Sequence, residues 1–330
     1  MTVLIHDLHL DAIRTSGTTP TSAKELNTFQ NVVFGNMLKQ IDEPLIILGD
    51  LFDRYQVSNT CLLYTYQLLQ EWLGRGHHLT LVIANHDISN DSSKMSSFEL
   101  LADLLAGPQV TYVYGGYQHD EDTYIVSHVI NQDLFDAELA KVPKCKLLLL
   151  HANYASPWAH SDHSLNVSED QAKALPADRI YFAHEHHARI ELDGKVVIGG
   201  NNFPSSISDC LGGNHKYMHR ITATGLEKIK TWDASGYKEI DWRNPVESSA
   251  KFIRFIGSAT AEEGVAVANT IANYRKESSA FVVGNAVKIE SVDDESIAES
   301  LESVKAFDVM GALREILTED EIKKLESLNV

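Results

Sequence analysis

Long hydrophobic runs are missing from this sequence of 330 residues. The longest ones, such as residues 147–150, fall far short of the roughly 20 apolar residues that a membrane-spanning helix needs. The first residues, MTVLIHDLHLD, contain neither a basic cluster nor a small-residue cleavage site, so a secretory signal is not expected. These absences argue against a membrane protein and predict a cytoplasmic one.

Cysteine and positive charge are both scarce. The three cysteines, Cys61, Cys145 and Cys210, lie far apart and form no CxxC pair, so neither a disulfide framework nor a zinc site of that type is expected. The formal net charge is −18, and residues 290–330 contribute −8 of it, with 12 acidic and 4 basic residues. Such a chain is not expected to hold nucleic acid by a broad basic surface of its own.

A glycine-rich loop of the Walker type is also missing, so the chain should not hydrolyse ATP. What the sequence contains instead is a series of apolar strands that alternate with amphipathic helices. Strands are predicted at 2–6, 45–50 and 77–87, and helices at 22–40, 59–73 and 96–106. Further strands are predicted at 110–114, 123–129, 146–151, 179–183, 187–192, 195–199 and 217–223. This order predicts an α/β sandwich with mixed sheets.

A second, smaller unit is predicted to begin near Asn244-Pro245. Residues 251–290 have the pattern strand, helix, strand. A polar, acidic linker follows at 293–304, and residues 308–328 form a final helical segment with apolar spacing.

Five of the predicted strands end in side chains that can bind metals. Each fragment alone is weak evidence, because an isolated Asp-x-His is usually a surface turn. Apolar strands normally exclude Asp, Asn and His unless these groups are satisfied, and the carboxyl ends of strands in an open α/β sheet meet at one rim. The recurrence therefore predicts a common site. In strand order the residues are Asp7 and His9, Asp50 and Asp53, Asn85 and His86, His151, and His184 and His186.

Seven of these residues are candidate metal ligands: Asp7, His9, Asp50, Asn85, His151, His184 and His186. Seven ligands exceed what one ion normally takes from a protein, so two divalent ions are predicted, with Asp50 as the natural bridge. Oxygen and nitrogen ligands without a thiolate favour Mn²⁺, with Mg²⁺, Fe²⁺ and Zn²⁺ as alternatives. Two such ions are the arrangement used for in-line attack on phosphorus.

Three neighbouring residues are candidates for other roles. His86 follows Asn85 and is expected to act over the phosphate as a cation or a general acid for the leaving oxygen. Asp53 would hold the imidazole of His86 in one tautomer. Arg54 would bind a substrate phosphate or pair with Asp53, and a purely structural ion pair is an equally good interpretation of it.

Together, the motifs Asp-x-His, Gly-Asp-x-x-Asp-Arg, Asn-His-Asp, a lone His and His-x-His resemble those of the calcineurin-like metallophosphoesterases. The resemblance covers roughly residues 1–225 and implies a four-layer α/β/β/α sandwich at 1–243 with a dinuclear metal centre. Ala84 and Ala183 stand where the family usually has Gly. Carried over by motif, one ion belongs to Asp7, His9, Asp50 and His186, the other to Asp50, Asn85, His151 and His184, and His86 is catalytic.

The rest of the chain resembles the SbcD-type nucleases of double-strand break repair, in particular the recombination-nuclease subunits of large bacteriophages. The shared features are the loop GGNNFPSS before a closing strand, the small strand–helix–strand unit, and the acidic linker to a terminal helical segment. The resemblance implies a small DNA-binding or capping domain at 244–290. It also implies that 291–330 binds the coiled-coil base of an SbcC-like ATPase, and that helices 59–73 and 96–106 form a homodimer.

Three functions are open at this point. The first is a metal-dependent DNA exonuclease or endonuclease that works with the ATPase in DNA end processing, recombination and repair. The second is a stand-alone phosphatase or cyclic-nucleotide phosphodiesterase of the same fold, which the net charge favours. The third is an inactive scaffold, against which the complete ligand set speaks. Trp158, in the segment after His151, is either an ordinary surface residue or a platform on which a base stacks.

Overall fold

Two six-stranded β-sheets dominate the computed structural model, which describes residues 1–89, 94–156 and 164–290. Strands are numbered in chain order. The first sheet has the spatial order β14 (Gly225–Trp232), β13 (Lys216–Thr222), β1 (Thr2–Ile5), β2 (Leu45–Leu48), β3 (Leu79–Val82) and β4 (Val110–Val113). The second has the order β11 (Arg189–Glu191), β12 (Val196–Ile198), β10 (Ala177–Ala183), β7 (Cys145–His151), β6 (Thr123–Val126) and β5 (Gly116–Gln118).

Both sheets are mixed, with a parallel centre. β1 to β4 run parallel, and Ile47 of β2 lies opposite Ile5 of β1 and Leu81 of β3. β6, β7, β10 and β12 are likewise parallel, whereas β5, β11 and β13 pair antiparallel with their neighbours. The carboxyl ends of the parallel strands in each sheet therefore lie along one edge, as the sequence predicts for a site built from strand ends.

Helices cover the outer faces of both sheets. On the first sheet, large apolar side chains such as Phe34, Trp72 and Phe98 pack in one buried cluster against the strands. The helices of that layer are α1 (Pro20–Gln40), α2 (Asn59–Leu73) and α3 (Ser97–Leu105). On the second sheet, Phe135 lies in the corresponding cluster, and the helices are α4 (Gln132–Leu139) and α5 (Glu169–Ala174). A third cluster, which includes Leu48 and Leu149, fills the space between the sheets.

These layers confirm the predicted four-layer α/β/β/α sandwich. The helix starts follow local chemistry: Thr19 and Ser96 cap α1 and α3, each in a capping box with the third residue of its helix. The sequence interpretation missed α4 and α5, which have only 8 and 6 residues, although Asn131 and Ser168 cap them. It also missed β14, which pairs with β13 at the edge of the first sheet.

A small α/β unit follows the sandwich. Its parallel sheet comprises β15 (Tyr237–Asp241), β16 (Phe252–Ile256) and β18 (Val282–Asn285), with α6 (Gly264–Glu277) alongside. Ile253 and Phe255 belong to a cluster with side chains of α6, whereas Phe252 belongs to a cluster with Leu26 of α1. Two short parallel pairs complete the description: β8 (Asn153–Tyr154) with β9 (Asn166–Val167), and β17 (Ser258–Ala259) with β19 (Lys288–Ile289).

The small sheet thus packs against α6 on one face and, through Phe252 and Val282, against the sandwich on the other. β15 already belongs to it, so the pairing begins a few residues before Asn244; the domain division at residue 243 stays a prediction. The predicted terminal segment at 291–330 lies outside the described residues. Among the described residues, no helix combines the length and apolar character that a membrane span requires.

Candidate metal centre

The seven candidate ligands lie directly after the ends of five parallel strands, or at the last residue of one. Asp7 and His9 follow β1, Asp50 follows β2, and Asn85 follows β3. On the other sheet, His151 is the last residue of β7, and His184 and His186 follow β10. The structure brings side chains from both sheets together at one edge of the sandwich. Their function as ligands stays a prediction.

The backbone at four of these residues is left-handed. The φ angles are 50° at Asp7, 46° at His9, 48° at Asp50 and 86° at His184. For residues other than glycine this conformation costs on the order of 1–3 kcal/mol each, and such strain concentrates at functional sites. In the turns that follow β1, β2 and β10, the surrounding structure therefore holds the backbone in a left-handed conformation that is unfavourable for these residues.

Gly49 makes the close approach of the two sheets at this edge possible. Its φ is +81°, and a Cβ atom there would lie 2.6 Å from Nδ1 of His151 and would collide with Cβ of Ala84. The methyl group of Ala84, which stands where the family usually has Gly, thus occupies space that Gly49 leaves free. Neither Ala84 nor Ala183 has a left-handed backbone, so both departures from the family pattern fit without backbone strain.

Two neighbouring groups of ligand atoms are formed. In the first, one atom each of Asp7, His9 and His186 lie within 4.8 Å of one another, and Nε2 of His9 is 3.0 Å from Nε2 of His186. In the second, the atoms belong to Asp50, His151 and His184. Both groups match the division between two ions that the family resemblance implies.

Asp50 lies between the two groups. Its Oδ2 is 3.3 Å from Nε2 of His151 and 3.8 Å from Nε2 of His9. Asn85 joins on the side of His151, since its Oδ1 is 3.2 Å from the same Nε2. The carboxylate of Asp50 therefore lies where a ligand that bridges two ions would have to be.

The donor atoms fit divalent cations. Nδ1 of His151 lies 2.9 Å from the carbonyl oxygen of Leu48, so its N–H donates there and Nε2 is the ring atom that faces the oxygens of Asp50 and Asn85. Oδ1 of Asp7 is buried without any hydrogen-bond partner. An orphaned buried carboxylate oxygen beside converging oxygen and imidazole nitrogen atoms is an arrangement that divalent ions would satisfy.

Burial and charge shift the pKa values in this centre strongly. Burial raises the pKa of Asp50, but the attraction of His151 outweighs it and holds that pKa well below its usual value. Burial lowers the pKa of His151, yet the same attraction raises it to about 9. His9 is dominated by burial, which lowers its pKa to about 3 and keeps its ring neutral. Asp50 is therefore ionised and His9 unprotonated, as ligands must be, whereas a bound ion would have to displace the proton on Nε2 of His151.

Asp209 orients His186 and was not predicted from the sequence. One oxygen of its carboxylate accepts from Nδ1 of His186 at 2.7 Å. The other accepts from the backbone N–H groups of Ser205 and Ser206 at 2.8 and 2.9 Å. Asp209 is buried, and it fixes the tautomer that leaves Nε2 of His186 free for a cation. Asp209 does not follow the end of an apolar strand, so the sequence pattern that identified the other residues did not identify it.

The contacts of His86, Asp53 and Arg54 differ from the predicted ones. Nδ1 of His86 lies 2.5 Å from the backbone carbonyl of Asp53, so the carbonyl and not the carboxylate holds the ring. The carboxylate of Asp53 instead contacts Arg14 at 3.2 Å and Nδ1 of His9 at 3.5 Å. Arg54 does not pair with Asp53 but with Asp11, at 3.3 Å.

His86 nevertheless lies at the edge of the metal centre. One of its ring nitrogens is within 4.8 Å of ligand atoms of His9 and Asp50. Beside it opens a cleft of about 410 Å³, whose lining includes Arg54, Lys94 and Asn85. Substrate phosphates in this cleft would meet His86 and two cationic side chains. The segment with Trp158 lies outside the described residues.

One protein-family model matches the part of the chain that carries these residues. A family model described as calcineurin-like phosphoesterase matches residues 3–188, which include every candidate ligand. No curated protein matches the chain. Among solved structures, a cold-active protein-tyrosine phosphatase of a psychrophilic Shewanella species is similar, at 13% identity over 70% of this chain and 77% of that one, with a TM-score of 0.36. A protein of unknown function from Aquifex aeolicus is similar at 17% identity over 51% and 88%, with a TM-score of 0.28.

Proposed function

Because the chain belongs to the calcineurin-like phosphoesterase family, we propose that this metal-dependent phosphoester hydrolase is a DNA nuclease that cleaves phosphodiester bonds. The observation that carries the proposal is the open cleft beside His86, which Arg54 and Lys94 line next to the two groups of ligand atoms. A cleft of this kind can receive a nucleic-acid strand and contact phosphates on either side of the one that is cleaved.

The residues of the centre have separable roles in this reaction. When bound, two divalent ions, with Mn²⁺ as the best match for the oxygen and nitrogen ligands, supply positive charge to the phosphate oxygens and lower the pKa of an attacking water. His86 donates a proton to the leaving oxygen, and the carbonyl of Asp53 fixes its ring. Arg54, whose guanidinium pairs with Asp11, contacts the substrate phosphate in this proposal.

The test is cleavage of end-labelled single- and double-stranded DNA in the presence of Mn²⁺. His86→Ala should lower the rate by about 10²- to 10⁴-fold, because it removes a general acid, while Mn²⁺ binding measured by calorimetry is retained. His119→Ala, in the turn after β5, is the matched control and should cleave like the wild type. Full activity of His86→Ala would contradict the assigned role.

A second candidate is a stand-alone phosphatase or cyclic-nucleotide phosphodiesterase. The net charge of −18 favours it, since a chain this acidic repels polyanions outside the cleft. The same assay with bis(p-nitrophenyl) phosphate separates the two functions. Hydrolysis of this small diester without cleavage of any DNA would favour the second candidate over the nuclease.

The proposal includes an SbcC-like ATPase as partner, bound through the C-terminal segment. The support is the sequence of residues 305–330, whose apolar residues recur at helical spacing in an otherwise acidic stretch. Deletion of residues 305–330 should abolish capture of such an ATPase in a pull-down. The double substitution Leu313→Ser and Leu317→Ser, which leaves the charge of the segment unchanged, should abolish it as well. Unchanged capture after the deletion would show that this part of the proposal is wrong.

A further inference from the structure

A chain of three buried polar side chains leads away from Asp7 between the two sheets. His6 follows β1, Tyr181 lies on β10 of the second sheet, and His219 lies on β13 of the first. Nδ1 of His6 is 2.6 Å from Oδ2 of Asp7, and its Nε2 is 2.6 Å from the hydroxyl of Tyr181. That hydroxyl is 2.8 Å from Nδ1 of His219. All four residues are buried.

The carboxylate of Asp7 fixes the direction of the first hydrogen bond in this chain. A carboxylate only accepts, so Nδ1–H of His6 donates to Asp7. The Tyr181 hydroxyl joins Nε2 of His6 to Nδ1 of His219, and it donates to one of these nitrogens while it accepts from the other. Burial lowers the pKa of His219 to about 3, which is consistent with a neutral ring. In either arrangement, His6 presents a donor to Oδ2 of Asp7.

The local structure is shaped to hold this chain. Gly199, directly after β12, has no room for a side chain: a Cβ atom there would lie 2.8 Å from Nε2 of His6 and would collide with the hydroxyl of Tyr181. The backbone amide of His6 is held as well, because its N–H donates to Oδ1 of Asn202 at 2.6 Å. Both ends of the His6–Tyr181 contact are therefore fixed by neighbouring residues.

The two carboxylate oxygens of Asp7 therefore have different surroundings. Oδ2 accepts from His6 and from the backbone N–H of His184, at 3.0 Å. Oδ1 has no hydrogen-bond partner and lies 4.0 Å from Nε2 of His151. We propose that His6, Tyr181 and His219 are positioning residues that hold Asp7 by Oδ2 and so present Oδ1 alone to a divalent ion.

The experiment is a calorimetric titration of the metal-free full chain with Mn²⁺, without DNA. Wild type should bind two ions, and Tyr181→Phe should weaken one of them by about 10- to 100-fold while the other is unchanged. Tyr124→Phe is the matched control, because it removes a hydroxyl from the same sheet at β6. Unchanged affinities for both ions in a folded Tyr181→Phe protein would overturn the proposal.

A second variant covers the case in which Tyr181→Phe does not fold. His6→Asn keeps a polar side chain, but it is too short to reach both Asp7 and Tyr181, so the same ion should be weakened. Two unchanged affinities would again overturn the proposal. The inference rests on the proposed function only in that the centre binds divalent ions. A wild type that binds two ions but cleaves no DNA would therefore defeat the nuclease proposal and leave this one standing.

Discussion

A single carboxylate behind His186 gives the sharpest prediction at the scale of one residue. Asp209→Asn keeps the shape of the side chain but removes the charge that accepts from Nδ1 of His186. We expect Mn²⁺ affinity at the group of Asp7, His9 and His186 to fall by about 10- to 100-fold, since such orienting partners make contributions of that size. Calorimetry at fixed pH measures it.

Ser206→Ala is the control for this prediction. Ser206 donates to Asp209 through its backbone N–H, which alanine retains together with the charge of Asp209, so the variant should bind Mn²⁺ nearly like the wild type. If Asp209→Asn bound both ions with wild-type affinity, the orientation of His186 would not depend on this carboxylate.

Individual residues of the centre were predictable to different degrees. The seven candidate ligands each follow an apolar strand, and this contrast between apolar and polar residues is visible in the sequence. Arg14 lies in a loop and Asp209 in a single 3₁₀ turn at Ser208–Cys210, where an acidic or basic residue is ordinary, so nothing in the sequence distinguished them. The contacts of Asp53 could not be predicted either, because the sequence does not tell whether a carbonyl or a carboxylate meets His86.

At the scale of secondary-structure elements, the turn after β2 is the most sensitive to substitution. Gly49→Ala would place a Cβ atom at φ +81° and against His151 and Ala84. The left-handed backbone alone costs about 1–2 kcal/mol, and the contact with His151 adds to it. We expect a lower free energy of unfolding in urea and a weakened ion at the group of Asp50, His151 and His184.

Two further variants isolate the cause. Gly107→Ala should be nearly neutral, because a Cβ atom there would meet nothing closer than 3.8 Å. Ala84→Gly in the background of Gly49→Ala should restore stability only in part, since it removes one of the two colliding groups and leaves His151 in place. Equal stability of Gly49→Ala and wild type would show that this turn tolerates a side chain.

Elements with strong periodicity were predicted well and short ones were not. The spacing of Leu26, Val33 and Met37 indicates α1, which has 21 residues. α5 has only 6 residues, so no hydrophobic period can be recognised in it, and the capping pair Ser168 and Gln171 was its only signal. The four-layer arrangement was implied by the family resemblance, because alternation of strands and helices alone does not determine how two sheets stack.

At the scale of the whole molecule, apolar side chains on α2 and α3 predict a homodimer. Leu63 of α2 is 56% exposed and Leu104 of α3 is 51% exposed, and the two helices pack side by side. Because exposed leucines on adjacent helices are typical of an interface, Leu104→Glu should convert a dimer into a monomer in sedimentation velocity. Val265→Glu, on α6 and 72% exposed, should leave the dimer intact. A monomeric wild type would contradict the prediction.

The segment between β1 and α1 connects the small unit to the metal centre. Near its start, Arg14 contacts the carboxylate of Asp53, which in turn lies beside His9. Three residues later, the carbonyl of Gly17 accepts from the backbone N–H of Val283 in β18, at 2.7 Å. A displacement of the small unit would therefore shift this segment and Arg14 with it, and so disturb the carboxylate of Asp53 that lies beside His9.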